Sequence, residues 1–108
     1  MDWKKEAKKA LRAYPKAKAR GDDTSAIDIA LEQQKAYYNG AERMRMVDLV
    51  YFRRSHTITG AAMEVQYSPE AVQRWNAELV HAAAAALRAQ KMYSFHCDIC
   101  DSVQSVPD

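Results

Sequence analysis

Apolar residues recur at steps of three and four positions along most of the chain, which is the spacing of one face of an α-helix. The first such face consists of Trp3, Ala7, Ala10, Leu11 and Tyr14, with lysines on the other side of the segment. This pattern predicts an amphipathic first helix. Pro15 is expected to bend or end it near Tyr14, because proline lacks the amide hydrogen that a helix uses.

Two further helices are predicted between Gly21 and the middle of the chain. The second begins near Thr24, a candidate N-cap, and its apolar face consists of Ile27, Leu31, Gln34 and Tyr38. Asn39-Gly40 is expected to end it, since both residue types accept left-handed conformations. The third helix, ending near Phe52, is densely apolar and is predicted to lie at the centre of the core. Its surface is expected to be basic at Arg43, Arg45, Arg53 and Arg54.

A short helix, a turn and a long helix follow. Thr57 to Val65 predicts the short helix, and Gln66-Tyr67 predicts the turn. Ser68-Pro69-Glu70 then predicts a well-specified helix start, with a hydroxyl at the N-cap, proline at the first helical position and an acid in the first turn. The face of the long helix is Val72, Trp75, Leu79, Ala82, Ala83, Ala86 and Leu87. Trp75 on this face is predicted to pack in the core or in a dimer rather than to serve as a stacking platform.

The composition fits a single all-α domain. The chain has 108 residues, of which 48% are hydrophobic and 28% are charged, with only three glycines and three prolines. This content is too apolar for disorder and too poor in glycine for a nucleotide-binding loop or a β-sandwich. We expect about five helices in residues 1–93, with a helix-turn-helix at 57–79, and a flexible tail at 94–108.

No segment indicates a membrane protein or an enzyme. The apolar runs are shorter than the ~20 residues of a membrane span, so we expect a cytoplasmic protein. The sequence has no nucleophile elbow, phosphate loop or His-Glu zinc motif, and we expect neither catalysis nor a cofactor. Cys97 and Cys100, beside His96, would form half of a zinc site, but no second ligand pair is spaced to complete it. Incidental thiols are the alternative.

The small net charge of +2 conceals an uneven distribution of charges along the chain. Residues 1–20 contain eight lysines and arginines against two acids, a net charge of +6. A basic segment of this kind suits a polyanionic partner, and a solvated helix face is the alternative explanation.

A short helix, a brief turn and a helix that opens on Ser-Pro form the pattern of the helix-turn-helix, whose second helix enters the major groove of DNA. Ala61 or Ala62 supplies the small residue that lets the two helices cross closely. Tyr67 is expected to fill the corner, and Val72 to anchor the second helix to the core. The residues expected to point outward are Pro69, Glu70, Gln73, Arg74, Asn76 and Ala77.

Two stretches of the sequence resemble a known family. The first, Tyr51 to Trp75, reads "YFRRSHTITGAAMEVQYSPEAVQRW" and resembles the C-terminal part of phage transcriptional activators of the RinA and ArpU type. Their helix-turn-helix is itself like region four of bacterial sigma factors. The second, Ala10 to Arg20, reads "ALRAYPKAKAR" and is similar to a Tyr-Pro element near the start of such proteins.

The resemblance implies a function and a set of site residues. It places the recognition helix at Ser68 to Leu79, with Gln73, Arg74 and Asn76 reading DNA. It also implies a cytoplasmic regulator of late phage or prophage genes that acts at a promoter alongside RNA polymerase.

The predicted DNA contacts divide into base readers and phosphate contacts. Side-chain amides suit adenine, arginine suits guanine and glutamate accepts from cytosine, so the base readers are Glu70, Gln73, Arg74, Asn76 and Ala77. The recognition helix has few cations and carries Glu70 and Glu78, so most phosphate contacts are expected from elsewhere. The phosphate contacts are Arg43, Arg45, Arg53, Arg54, Thr57 and Ser68, together with the N-terminal lysines.

A different class of function stays open. The same helical scaffold, with its acidic recognition helix, would serve as a protein-interaction module that binds RNA polymerase or another phage protein without reading DNA sequence. Arg53 and Arg54 have a comparable alternative as the solvated end of a helix, stabilised by its dipole. A ridge of Ala83, Ala86 and Leu87 further predicts self-association as a homodimer. The partner predicted from the helix-turn-helix is double-stranded DNA.

Overall fold

The computed structural model describes the backbone of residues 2–104 and the side chains of residues 2–91. Within these residues the chain is all-α, with five α-helices and no strand. The helices are α1 (Trp3–Arg20), α2 (Ser25–Lys35), α3 (Gly40–Val47), α4 (Ile58–Val65) and α5 (Pro69–Gln104), and a π-helical turn, Asp48–Phe52, continues α3. The predicted fold class and the predicted number of helices are confirmed.

The core lies where α1, α2 and α4 pack against α5. Its most deeply buried side chains include Ala7, Leu11, Met46, Val47, Ala61, Val72, Trp75, Leu79 and Ala83. Burial of each large apolar side chain contributes roughly 1.5–3 kcal/mol to folding. The apolar faces predicted for the first and last helices therefore point into this core.

The apolar ridge predicted for self-association is used within the chain. Ala83 is fully buried, because α1 and α2 pack along α5. Ala86 and Leu87 are half-buried, and Leu87 lines a groove with Trp3 and Ala10 of α1. The ridge is therefore not the free surface that was predicted, and homodimerisation stays a prediction.

α5 is a single helix of 36 residues that runs to Gln104. The domain boundary predicted at residue 93 falls inside this helix, and the flexibility predicted for 94–108 stays a prediction. The last part of that segment, 105–108, lies outside the described residues.

α1 continues through Pro15, so an end near Tyr14, one of the two predicted effects of this proline, is excluded, and a bend stays a prediction. Contacts with α2 hold the helix on both sides of the proline. The Tyr14 hydroxyl donates to the carboxylate of Asp28 over 2.6 Å, and the Lys18 ammonium lies 3.1 Å from the same carboxylate. The Thr24 hydroxyl also donates to Asp28, over 2.9 Å. Asp28 thus joins the two halves of α1 to α2.

The glycines at two helix boundaries serve different needs. Gly21 follows α1 in the left-handed conformation, with φ +79°, which glycine adopts without strain at the end of a helix. Gly40 is different, because α2 already ends at Lys35 and the Lys35 carbonyl oxygen would lie 2.3 Å from a Cβ at Gly40. The predicted end of the second helix at Asn39-Gly40 is therefore wrong. Tyr38, predicted on its apolar face, is 94% exposed.

The Asp28 cluster makes stability depend on pH. Donation from the Tyr14 hydroxyl, and then from Thr24 and Lys18, holds the pKa of Asp28 below its ordinary value. Burial and the same hydrogen bond raise the pKa of Tyr14 to about 12. A lowered aspartate pKa stabilises the fold above its ordinary value of about 3.9, and this stabilisation is lost as the pH falls through the folded-state pKa.

We expect Tyr14→Phe to lower the free energy of unfolding at neutral pH by about 1 kcal/mol, because one hydrogen bond to Asp28 is lost. The difference from the wild type should shrink at a second, acidic pH below the lowered folded-state pKa of Asp28, where Asp28 is protonated in both proteins. Urea unfolding at the two pH values measures it, with Tyr38→Phe at an exposed tyrosine as the control. Equal losses at both pH values would contradict the role given to Asp28.

Candidate nucleic-acid interface

The helix boundaries around the turn between α4 and α5 are set by local capping. The Thr57 hydroxyl oxygen accepts from the Gly60 amide over 3.1 Å and begins α4. Gln66 adopts the left-handed conformation, with φ 63°, and ends α4. The Ser68 hydroxyl oxygen accepts from the Ala71 amide over 3.2 Å and begins α5. The predicted short helix, turn and helix start are therefore present at the predicted positions.

Packing behind the turn fixes α4 against α5. Ala61 and Ala62 of α4 are buried, which allows close approach of the two helices, and Val72 of α5 is fully buried. The Tyr67 ring contacts the edge of the Trp75 ring, with centroids 4.6 Å apart. The predicted burial of Val72 and the core position of Trp75 are confirmed, and the role of Tyr67 at the corner of a helix-turn-helix stays a prediction. The first turns of α5 are therefore held by side chains on one face only.

The opposite face of these turns is open to solvent. Glu70, Gln73, Arg74 and Ala77, which were predicted as base readers, are all exposed. Arg74 is the one cation among them, and its Nε lies 3.9 Å from the carboxylate of Glu78 one turn later. These four residues, which we call the α5 face, follow one another along the exposed side of the helix.

Asn76 was predicted to point outward with the residues of the α5 face, but its side chain does not. Its side chain is half-buried, and its Oδ1 accepts a hydrogen bond from the hydroxyl of Tyr51, which is itself buried. Burial is the main cause that raises the pKa of this tyrosine, so its hydroxyl stays protonated and able to donate. Bidentate pairing with adenine requires the same amide oxygen. Asn76 therefore lies at the base of the face and links α5 to the π-helical turn.

Arg43 is not on the surface, so its predicted place among the phosphate contacts is wrong. Its side chain is only 6% exposed. Nε donates to Asn39 Oδ1 over 2.8 Å, and Nη1 donates to Gln34 Oε1 over 3.0 Å and to Glu78 Oε2 over 2.8 Å. Gln34 and Asn39 are also buried. The guanidinium therefore joins α2, α3 and α5 from the inside.

Aromatic rings complete the surroundings of this guanidinium. The Tyr37 ring centroid lies 3.7 Å from the Arg43 Cζ, and the Trp75 ring centroid lies 5.3 Å from it. A planar guanidinium can donate in its plane and stack on rings above and below, which an ammonium cannot do. One signal for this site was present in the sequence, because Gln34 is a polar residue on the otherwise apolar face of the second helix.

The other predicted phosphate contacts are exposed, and two of the arginines have carboxylate neighbours. Arg53 Nε lies 2.8 Å from Asp48, and Arg45 Nη2 lies 3.7 Å from Glu64. Arg54 is exposed at φ 54° in the loop before α4. Thr57 and Ser68 are exposed hydroxyls that already accept capping hydrogen bonds.

α1 brings additional cations next to these residues. Lys4 and Lys8 line a groove together with Asn76, Ala77 and His81 of α5. A second groove is lined by Lys9, Arg12, Lys16 and Arg54, with Phe52, Ala13 and Pro15. The N-terminal lysines were expected to help with phosphates, but the sequence did not show that Arg12 and Lys16 would lie beside Arg54.

We expect Arg43→Ala to lower the free energy of unfolding by about 3 kcal/mol, since it leaves Gln34, Asn39 and Glu78 without their partner. The figure is at the low end for a buried pair because Glu78 keeps 34% of its side-chain surface in water. Arg45→Ala, which removes an exposed cation, should change it by less than ~0.5 kcal/mol. Urea unfolding measures both, and equal losses in the two variants would contradict the buried role of Arg43.

No family model matches the chain, and searches of curated proteins and of solved structures return no match. Within the part of the chain that the structure describes, no helix is both long enough and apolar enough to cross a membrane. The same part contains no group of three or more metal-ligating side chains placed to hold an ion. The side chains of His96, Cys97 and Cys100, the predicted half-site, lie outside the described residues. The candidate interface is therefore defined by the residues and contacts of this chain alone.

Proposed function

We propose that this protein is a DNA-binding transcriptional regulator that reads duplex DNA with the α5 face. The observation that carries the proposal is the position of this face, which is exposed at the start of a capped helix and borders the groove containing Lys4 and Lys8. A helix whose first turns pack against the core on one face and expose the opposite face to solvent suits entry into the major groove. The adjacent lysines suit the phosphates that flank the groove.

The side chains of the α5 face offer distinct chemistry to base edges. The amide of Gln73 can pair bidentately with adenine, and the guanidinium of Arg74 can pair bidentately with guanine. The methyl group of Ala77 suits the methyl group of thymine, and Glu70 can accept from the amino group of cytosine. Asn76 is withdrawn from this set by Tyr51, so Gln73 and Arg74 are the principal readers.

The negative charge on the recognition helix is smaller than the sequence suggests. Glu78 accepts from the buried guanidinium of Arg43 over 2.8 Å and lies 3.9 Å from Arg74. Its charge is thus offset inside the protein before any phosphate approaches. Glu70 is the carboxylate of the α5 face itself, and its repulsion of phosphates is local to the first turn.

The resemblance of Tyr51 to Trp75 to phage activators of the RinA and ArpU type extends the proposal. It supports a regulator of phage or prophage genes that acts in the cytoplasm with RNA polymerase as a partner. Together with Glu70, Gln73, Arg74 and Ala77, the capping residues Thr57 and Ser68 form the proposed contact surface.

A protein-interaction module is the second candidate function. Three large apolar side chains on α2 and the segment after it are exposed, namely Ile29, Tyr37 and Tyr38. Such side chains suit a protein partner better than a phosphate backbone. Under this alternative, the protein would either not bind duplex DNA or bind it with the same affinity when residues of the α5 face are substituted.

Selection of bound sequences from a random duplex pool tests the function. We expect the wild type to yield a preferred sequence, and Gln73→Ala and Arg74→Ala each to relax one position by about 1–3 kcal/mol. Gln33→Ala and Arg88→Ala, which make the same changes at other exposed sites, should leave the preference unchanged. No duplex binding at low salt, or the same preferred sequence in all variants, would rule out the α5 face as a reader.

A further inference from the structure

We propose that α1 carries a surface that binds the sugar-phosphate backbone of duplex DNA. It consists of four exposed cations on one ridge of the helix, which we call the α1 cationic ridge: Lys4, Lys8, Arg12 and Lys16. Lys9 and Arg54 line the same groove as Arg12 and Lys16 and add to its positive charge. This proposal rests on the DNA-binding function proposed above. The ridge binds the backbone of the same duplex whose bases α5 reads.

The ridge follows from helical geometry. Its residues are spaced four apart along the sequence, so each lies next to the following one on the surface of the helix. The ridge spans about 18 Å from Lys4 to Lys16. A single strand of duplex DNA presents one phosphate about every 3.4 Å along the axis. The ridge is therefore long enough to meet several phosphates, whereas a mononucleotide or a free phosphate would meet only part of it.

The ridge is continuous with the α5 face. Its first half, Lys4 and Lys8, lines a groove with Asn76 and Ala77 of α5. Its second half, Arg12 and Lys16, lines the groove that contains Arg54. A duplex that enters along the α5 face therefore has cations of α1 on its flank.

Arg12 lies close enough to Tyr51 of the π-helical turn to act on its hydroxyl. Its positive charge acts on the hydroxyl of Tyr51, lowering a pKa that burial raises. The same hydroxyl donates to the Asn76 amide at the base of the α5 face. Arg12 is thus linked to the base of the α5 face through Tyr51 and Asn76.

The charges of the ridge are not balanced within the described part of the protein. No carboxylate among residues 2–91 forms an ion pair with Lys4, Lys8, Arg12 or Lys16. By contrast, Lys18 and Arg20 at the end of the same helix pair with Asp28 and Asp22. Like charges four residues apart repel one another, so this arrangement opposes folding in the isolated protein. A polyanion removes the repulsion.

The salt dependence of duplex binding tests the ridge. We expect the triple variant Lys8→Ala, Arg12→Ala and Lys16→Ala to reduce the slope of log affinity against log salt by about 2.7, at about 0.9 for each phosphate contact. Between about 50 and 200 mM salt, it should lose about 40-fold less affinity than the wild type. The preferred DNA sequence should not change, because the α5 face is intact.

The control triple variant is Arg20→Ala, Lys35→Ala and Arg88→Ala, which removes the same net charge from exposed sites outside the ridge. It should keep the wild-type slope. A charge-preserving variant, Lys8→Arg with Lys16→Arg, should also keep it. Thermal unfolding without DNA, at low salt, should show the ridge variant to be at least as stable as the wild type, because repulsion has been removed.

An unchanged salt slope in the ridge variant, or an equal reduction of the slope in the control variant, would overturn the proposed role of the ridge. The proposed role of the α5 face as a reader would stand. Absence of duplex binding by the wild type would instead overturn the proposed function and the ridge with it. In that case, binding of polyglutamate that is lost in the ridge variant would assign the surface to an acidic protein.

Discussion

The guanidinium of Arg43 is buried among three helices, and the position of the candidate interface depends on it. Its hydrogen bonds reach Gln34 of α2 and Glu78 of α5, and the Trp75 ring packs against it. A buried cation is tolerated only where its donors are satisfied, so these partners fix the angle of α5 relative to α2 and α3. With α5 held at this angle, the polar side chains of its first turns are exposed to solvent.

The same contact reconciles two features that conflict in the sequence. An acidic residue on a recognition helix opposes DNA binding, yet Glu78 has its charge offset from the inside by a residue on another helix. The cations proposed to contact phosphates lie on α1, whose Lys4 and Lys8 line a groove with Asn76 and Ala77 of α5 although about seventy residues separate them along the chain. In the proposed interface, the contacts to bases and the contacts to phosphates are therefore divided between α5, which has little net charge, and α1, which has several cations.

Features with a local cause could be predicted from the sequence, whereas features with a distant cause could not. Ser68 and Thr57 begin their helices as predicted because a cap requires only the next few residues. The burial of Arg43 depends on Glu78, 35 residues away, and the withdrawal of Asn76 depends on Tyr51, 25 residues away. Gly40 has a related explanation, since the constraint there is the Lys35 carbonyl oxygen rather than a left-handed φ.

The most direct measurement is an NMR titration of the protein with a short duplex, following side-chain N–H signals. Shifts are predicted for the Gln73 amide and for the Nε signals of Arg74 and Arg12, because these groups would contact DNA. The buried Nε of Arg43 and the amide of Gln33, an exposed residue of α2, should keep their positions. Shifts confined to Gln33, or no shift at Gln73 and Arg74 while the duplex binds, would contradict a protein that reads DNA through α5.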